Sequence, residues 1–348
     1  MSSVNRVPET ALMSGGELTM DHARTTLRHY GGRQLLWESF RRFRYGDGFT
    51  SARALGFQVT LTTIPLSIAF VGLSTSVQQD GLAQALQQVI LSVTPGDNDQ
   101  VVRTTLMDAL AQGRTGGIVA LVVGLLVALL ALTTAMGQVE RGANRIYGIQ
   151  RDRPARHKYA RAALLALAAG IPAATGFVIL IAGGVASGAL ATSYGWEDTT
   201  EQALRIARWP VGVLLVVVTL TVVFRWAPRR RQPGYSWLAV GASVSLVLWL
   251  TFSGLLALYV ATASSFNEVY GPLTAVMALL LWAQLSSIAL FLGIAFAAQL
   301  EAARAGVRHG AGPDHDPDTE GDEATASPRE LVTSAVGRVV DEVRALRS

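Results

Sequence analysis

Charge-free runs alternate with short charged segments along the chain. Six stretches contain no Asp, Glu, Lys or Arg: 54–79, 115–139, 162–196, 209–224, 232–267 and 269–300, together about half of the 348 residues. A helix needs roughly 20 apolar residues to cross the hydrocarbon core of a bilayer, so a soluble globular protein is excluded. The pattern predicts an all-α fold, a polytopic membrane protein built as a six-transmembrane-helix bundle with amphipathic interfacial helices. The expected spans are about 54–76, 116–139, 162–188, 207–226, 236–262 and 272–300. They divide the chain into a cytoplasmic segment 1–48, a membrane domain 49–304 and a tail 305–348.

Outside the spans the pattern changes period. In residues 33–44 Leu36, Phe40 and Phe43 share one helical stripe flanked by Arg41, Arg42 and Arg44, which predicts a helix lying in the interface. Leu82, Leu86, Val89 and Val93 recur at helical spacing over 81–96, interrupted by glutamines, which suits a surface helix and not a seventh crossing. Residues 309–328, rich in Gly, Pro, Asp and Glu, are expected to be disordered. Residues 329–347 carry Leu331, Ala335, Val339 and Val343 at helical spacing, with lipid or a second chain left open as partner.

Charge orients the bundle. Alternate extramembrane segments hold 25 basic residues against 4. The positive-inside rule then places both termini in the cytoplasm. Trp37, Tyr147, Tyr159, Trp196, Trp209, Trp226, Trp237 and Tyr270 fall near the expected interfaces, where amphipathic rings anchor a helix at headgroup level. The net charge of +4 therefore reads as membrane anchoring and not as nucleic-acid binding. Residues 1–53 are polar and Arg-bearing, so no cleaved signal peptide is expected.

Candidate chemistry is sparse. The chain has no cysteine, which excludes disulfides and thiolate sites. Its five histidines are not at metal-ligand spacing, and it has no phosphate loop or nucleophile elbow. No span carries an ionisable residue at its centre, which argues against a proton relay there. Neutral polar residues do fall inside: the Thr and Ser hydroxyls are expected to bond between helices. Gln58 and Gln284 are either packing amides or the lining of a polar cavity, because an amide in hydrocarbon needs a partner. Pro65 and Pro172 interrupt spans one and three, and Gly183, Gly184 and Gly188 offer a small-residue contact face in span three. Gln58, Pro65 and Gln284 are expected to face one shared cavity. The densest polar segment follows span two, where Glu140 and Asn144 share one helical face and Arg141 and Arg145 another. Glu140 is expected to pair with Arg145, Arg225 or Arg141. No cofactor and no catalytic or metal site is expected.

Several of these segments resemble one family. Asn144-Arg-Ile-Tyr147 with Arg153-Pro154 is similar to the loop after the second span of the YihY/BrkB family of bacterial inner-membrane proteins. Phe224-Arg-Trp-Ala-Pro228 followed by Trp237 resembles that family's loop before span five. Leu258-Tyr-Val260, Tyr270-Gly-Pro-Leu273, Leu280-Leu-Trp282, Leu292-Gly293 and Glu301 resemble its last two spans. Arg53-Ala-Leu-Gly-Phe57 with Ile64-Pro65 is similar to its opening span, although Gln58-Val-Thr60 departs from the usual apolar run.

The resemblance implies a six-helix protein of the bacterial cytoplasmic membrane linked to envelope integrity, with membrane lipids as partners. The expected function is transporter-like handling of a lipid or other amphiphilic substrate; the alternative is a scaffold that recruits partners through its cytoplasmic ends. A homo-oligomer is left open. The ribonuclease BN label that such proteins have carried finds no metal-ligand cluster here to support it.

Overall fold

A computed structural model describes residues 5–10, 18–76, 117–149, 153–194, 198–262, 273–307 and 309–313. Contacts divide the chain into two compact units. One comprises Val7–Ala311; in the other, made of the chain ends, Asn5–Arg6 pairs antiparallel with Gly312–Pro313. The regular elements of the larger unit, among the described residues, are all helices. Two short helices, α1 (Met20–Tyr30) and α2 (Gly32–Tyr45), precede six long ones: α3 (Gly48–Ser76), α4 (Gly117–Ile146), α5 (Ala155–Tyr194), α6 (Asp198–Trp226), α7 (Tyr235–Thr262) and α8 (Thr274–Arg304). The surface helix expected at 81–96, the terminal helix at 329–347, and most of 309–328 lie outside the described residues.

Four long helices are apolar enough over a sufficient length to cross a membrane: α4 over Leu121–Ile146, α6 over Ile206–Trp226, α7 over Tyr235–Thr262 and α8 over Val276–Arg304. The other two, α3 and α5, occupy the positions expected for spans one and three. The long helices carry large apolar side chains on their surfaces. Leu126 and Leu130 of α4, Leu164 and Ile171 of α5, Leu214 of α6 and Leu250 and Leu258 of α7 all point outward, forming apolar surface far beyond the patches of an ordinary monomer. The centre belongs to α8. In its most apolar stretch 44% of residues are buried, against 11% in α7.

Packing follows from this. α8 lies against α7, α3 and α2, while α3 packs on α4 and α5 on α6. Small residues set the α7–α8 distance: a Cβ on Gly293 would stand 1.9 Å from Ser245 Oγ and 2.8 Å from the Gly241 carbonyl, so only glycine fits the crossing. The small-residue face anticipated at 183–188 lies where side chains are not described, so the close approach seen is this other one. Helices α3 and α5 continue through Pro65 and Pro172.

The hydroxyls behave differently from expectation. Thr60, Thr62, Thr63, Thr133, Thr219, Thr221, Ser243, Thr251 and Ser287 each donate to the carbonyl four residues back in their own helix. Local back-bonding satisfies a hydroxyl without a neighbour, so most do not tie helices together. The ties that do cross are between α7 and α8: Ser245 Oγ donates to the Ala289 carbonyl at 3.0 Å, Trp249 Nε1 to Ser286 Oγ at 3.0 Å and Trp282 Nε1 to Ser253 Oγ at 3.1 Å.

Candidate functional site

One end of the larger unit gathers an end of every long helix. Asp47, just before α3, pairs with Arg145 at the close of α4. Arg153, just before α5, reaches the carbonyls of Ala227 and Pro228 after α6, at 3.4 and 3.1 Å. Arg225 at the end of α6 lies over the Tyr235 ring that opens α7, 4.7 Å from its centroid. Arg230, in the turn between α6 and α7, pairs with Glu301 near the end of α8.

The interfacial helix α2 completes this end, with its faces reassigned. Leu36 and Trp37 are exposed, whereas Leu35, Glu38, Ser39, Arg42 and Phe43 are buried. Arg42, expected to flank an apolar stripe, is fully buried. Its Nε donates to Gln299 Oε1 at 3.0 Å, and its Nη1 donates to Thr10 Oγ1 at 2.8 Å and the Ile146 carbonyl at 3.1 Å. It thus joins α2 to Thr10 in the segment before α1, to the end of α4 and to α8. Thr10 is held twice more, by its N–H to the Tyr147 carbonyl and by its own carbonyl to Arg230 Nη1 at 3.0 Å. Glu38 anchors the chain after α8, accepting the Gly310 N–H at 2.8 Å.

Burial governs the electrostatics here. Loss of water lowers the Arg42 guanidinium to about 10, still cationic at neutral pH, while the Glu301 carboxylate works against that shift. Burial, reinforced by Glu301, pushes the Tyr147 hydroxyl up, so it stays neutral beneath the Arg230 cation 4.9 Å from its ring centre. Among the described residues one Glu301 oxygen and Arg42 Nη2 are buried without a hydrogen-bond partner.

The last turns of α4 have the face predicted for them: Glu140 and Asn144 are buried and Arg141 and Arg145 exposed. The pairing differs. Glu140 takes Arg153, with Arg153 Nη1 2.9 Å from Glu140 Oε1, and not Arg141, Arg145 or Arg225. Arg145 and Arg225 are held elsewhere, Arg145 by Asp47 and Arg225 by the carbonyls of Gln232 and Pro233. Burial lowers the Arg153 guanidinium and the Glu140 charge opposes that lowering. Asn144 Oδ1 accepts the Arg229 N–H at 2.7 Å, fixing the turn after α6. Gly148 follows α4 at φ 79°, and the segment before α1 crosses so close that a Cβ there would meet Glu9 N at 2.7 Å. Tyr147 and Trp237, expected as interfacial anchors, are core residues; Trp37, Tyr159, Trp209 and Trp226 are exposed as anchors should be, and Trp196 and Tyr270 lie outside the described residues.

Deeper among the long helices, α3, α6, α7 and α8 line a partly open cavity of about 260 Å³. Its walls are apolar, chiefly Leu55, Val59, Leu220 and Leu290, with Ser245, Trp249 and Ser286 adding polar atoms. Gln58, Pro65 and Gln284 are not among its lining residues. Gln58 Nε2 donates to the Ala131 carbonyl of α4 at 3.3 Å. Gln284 backs onto Gly56 of α3, where a Cβ would stand 2.9 Å from Gln284 Cα. Gln58 thus bonds across to α4, and Gln284 lies at the close approach of α3 and α8.

Arg42, Gln299, Thr10 and the Arg230–Glu301 pair were not singled out by sequence. The available signal was the Glu38/Arg42 spacing, which puts both on the face of Leu35 and Ser39. Among the described residues no group of three or more His, Cys, Asp or Glu is placed to hold a metal ion.

Residues 39–318 match the family described as Virulence factor BrkB. The chain is 23% identical over 270 residues to the Putative ribonuclease-like protein YfkH of Bacillus subtilis (strain 168), covering 74% of this chain and 92% of that protein. It is 28% identical over 298 residues to the UPF0761 membrane protein Smlt0865 of Stenotrophomonas maltophilia (strain K279a), covering 82% of this chain and 65% of the relative. It is 27% identical over 270 residues to a UPF0761 membrane protein of Azotobacter vinelandii, covering 76% and 62%. The chain thus spans under two thirds of the length of these UPF0761 proteins. No solved structure matches it.

Proposed function

The chain belongs to the BrkB virulence-factor family of membrane proteins, and on that premise we propose that it binds and handles an amphiphile, a lipid or lipid-like molecule, within the bacterial cytoplasmic membrane. One observation carries the reading: the apolar cavity among α3, α6, α7 and α8. Its volume of about 260 Å³ lies near the lower bound of ligand cavities, roughly 300 Å³. An acyl chain suits such walls, and Ser286 with Trp249 offers hydrogen-bonding atoms beside them.

In this reading all six long helices cross the bilayer, alternately, with the arginine-tied ends and both chain termini in the cytoplasm. The convergence of their ends through Asp47–Arg145, Arg153–Pro228 and Arg230–Glu301 supports the alternation. The basic excess at that end supports the orientation. We assign no hydrolytic step: the buried carboxylates Glu38, Glu140 and Glu301 are each engaged by an arginine.

The test is retention of amphiphile through detergent purification, read by mass spectrometry of the intact protein. Leu220→Trp fills the cavity from α6, and Leu214→Trp adds the same ring to the outward face of that helix. Wild type and Leu214→Trp are expected to carry a bound amphiphile, and Leu220→Trp at least fivefold less. Equal retention in Leu220→Trp contradicts the reading.

A further inference from the structure

A second cavity, of about 670 Å³, opens at the arginine-tied end of the bundle. Its walls come from the first turns of α5, the end of α6 with the turn after it, the start of α7 and the end of α8. Arg161, Arg225, Arg230 and Arg231 line it, with Glu301 as the one carboxylate and Trp226 and Tyr235 as its aromatic residues.

These four cations fall into two pairs. Arg225 is committed to the carbonyls of Gln232 and Pro233 and lies over Tyr235. Arg230 is committed to Glu301 and to the Thr10 carbonyl. Arg161 and Arg231 are exposed, and neither is ion-paired with a described carboxylate. Four like charges around one concavity repel, and low-dielectric walls focus their field on whatever anion enters. The planar guanidinium fork matches phosphate oxygens two at a time. Trp226 and Tyr235, both exposed, mark the depth at which headgroups lie, and basic pockets between membrane helices suit anionic headgroups.

We propose that this cavity binds a phosphate group, gripped by Arg161 and Arg231 over a floor fixed by Arg225 and Arg230. The phosphate belongs either to the headgroup of an anionic lipid or to a free phosphate compound. The site needs only that the helices lie in a membrane and stands whether or not the apolar cavity is occupied.

The experiment uses the full chain in micelles of a neutral detergent, titrated separately with phosphatidylglycerol and with inorganic phosphate. Binding is read by intact-protein mass spectrometry and by the rise in unfolding temperature. The variant is Arg161→Gln with Arg231→Gln; the control, Arg53→Gln with Arg304→Gln, removes the same charge from exposed arginines outside the cavity. Both pairs should unfold at the same temperature without added probe. Wild type and control are expected to bind, and the cavity variant at least tenfold more weakly. The single substitutions, each expected to weaken binding about threefold, serve if the double variant does not fold. Binding of phosphatidylglycerol that millimolar phosphate leaves intact identifies the headgroup. Displacement by phosphate at that concentration identifies a free compound, and either result supports the site. No binding of either probe to wild type, or equal binding by the cavity variant and the control, overturns it.

Discussion

Arg42 is the residue on which the polar end turns. Its buried guanidinium donates to Thr10 in the segment before α1, to the Ile146 carbonyl at the end of α4 and to Gln299 of α8. Truncating it strands buried acceptors that each cost about 1–3 kcal/mol when left unpaired. Arg42→Ala is therefore expected to lower the unfolding temperature in detergent far more than Arg53→Ala, whose side chain is exposed; calorimetry of the two checks this. Glu140 and Arg153 make a second residue-scale test. Breaking a buried pair by removing one partner costs about 3–5 kcal/mol. A double-mutant cycle with Glu140→Gln and Arg153→Gln should show a coupling of about 0.5–3 kcal/mol, because contacting groups are not additive. Strict additivity would remove the pair as a structural tie. That Glu140 seeks an arginine was legible in sequence, as an acid at the end of an apolar helix. Its partner was not: choosing Arg153 over the nearer Arg141 depends on where the start of α5 lies beside α4, which spacing along one helix does not encode. Arg42 was hidden for a related reason, since its acceptor Gln299 lies 257 residues away.

At the scale of elements, length and hydropathy located the long helices well, because a lipid-facing helix must be apolar along its whole length and that is a local property. What those signals missed is how helices touch. Hydroxyls read as interhelical ties mostly bond their own backbone. The close crossing is instead made by Gly241 and Gly293, whose role rests on a meeting of α7 and α8 invisible in either segment alone. Gly293→Ala is expected to destabilise by about 1–3 kcal/mol, the usual range for overpacking. Gly254→Ala on α7, where a Cβ meets nothing within 4 Å, should gain about 0.5–1 kcal/mol from helix propensity. Chemical denaturation of both in the same micelles gives the comparison; a neutral Gly293→Ala would mean that the crossing is loose.

For the whole molecule, the alternation of arginine-rich and arginine-poor connections is the basis of the proposed orientation, and in the structure each arginine-rich connection is bonded to the next. The central claim is that this tied end faces the cytoplasm and that the long helices leave it alternately. α7 tests it within one helix, since Ser236 at its start and Thr262 at its end are both exposed. The chain has no cysteine of its own, so a single introduced thiol is the only reactive one. In intact cells an impermeant maleimide should label Thr262→Cys and leave Ser236→Cys unlabelled until the membrane is permeabilised. Labelling of Ser236→Cys in intact cells, with Thr262→Cys protected, would contradict the account.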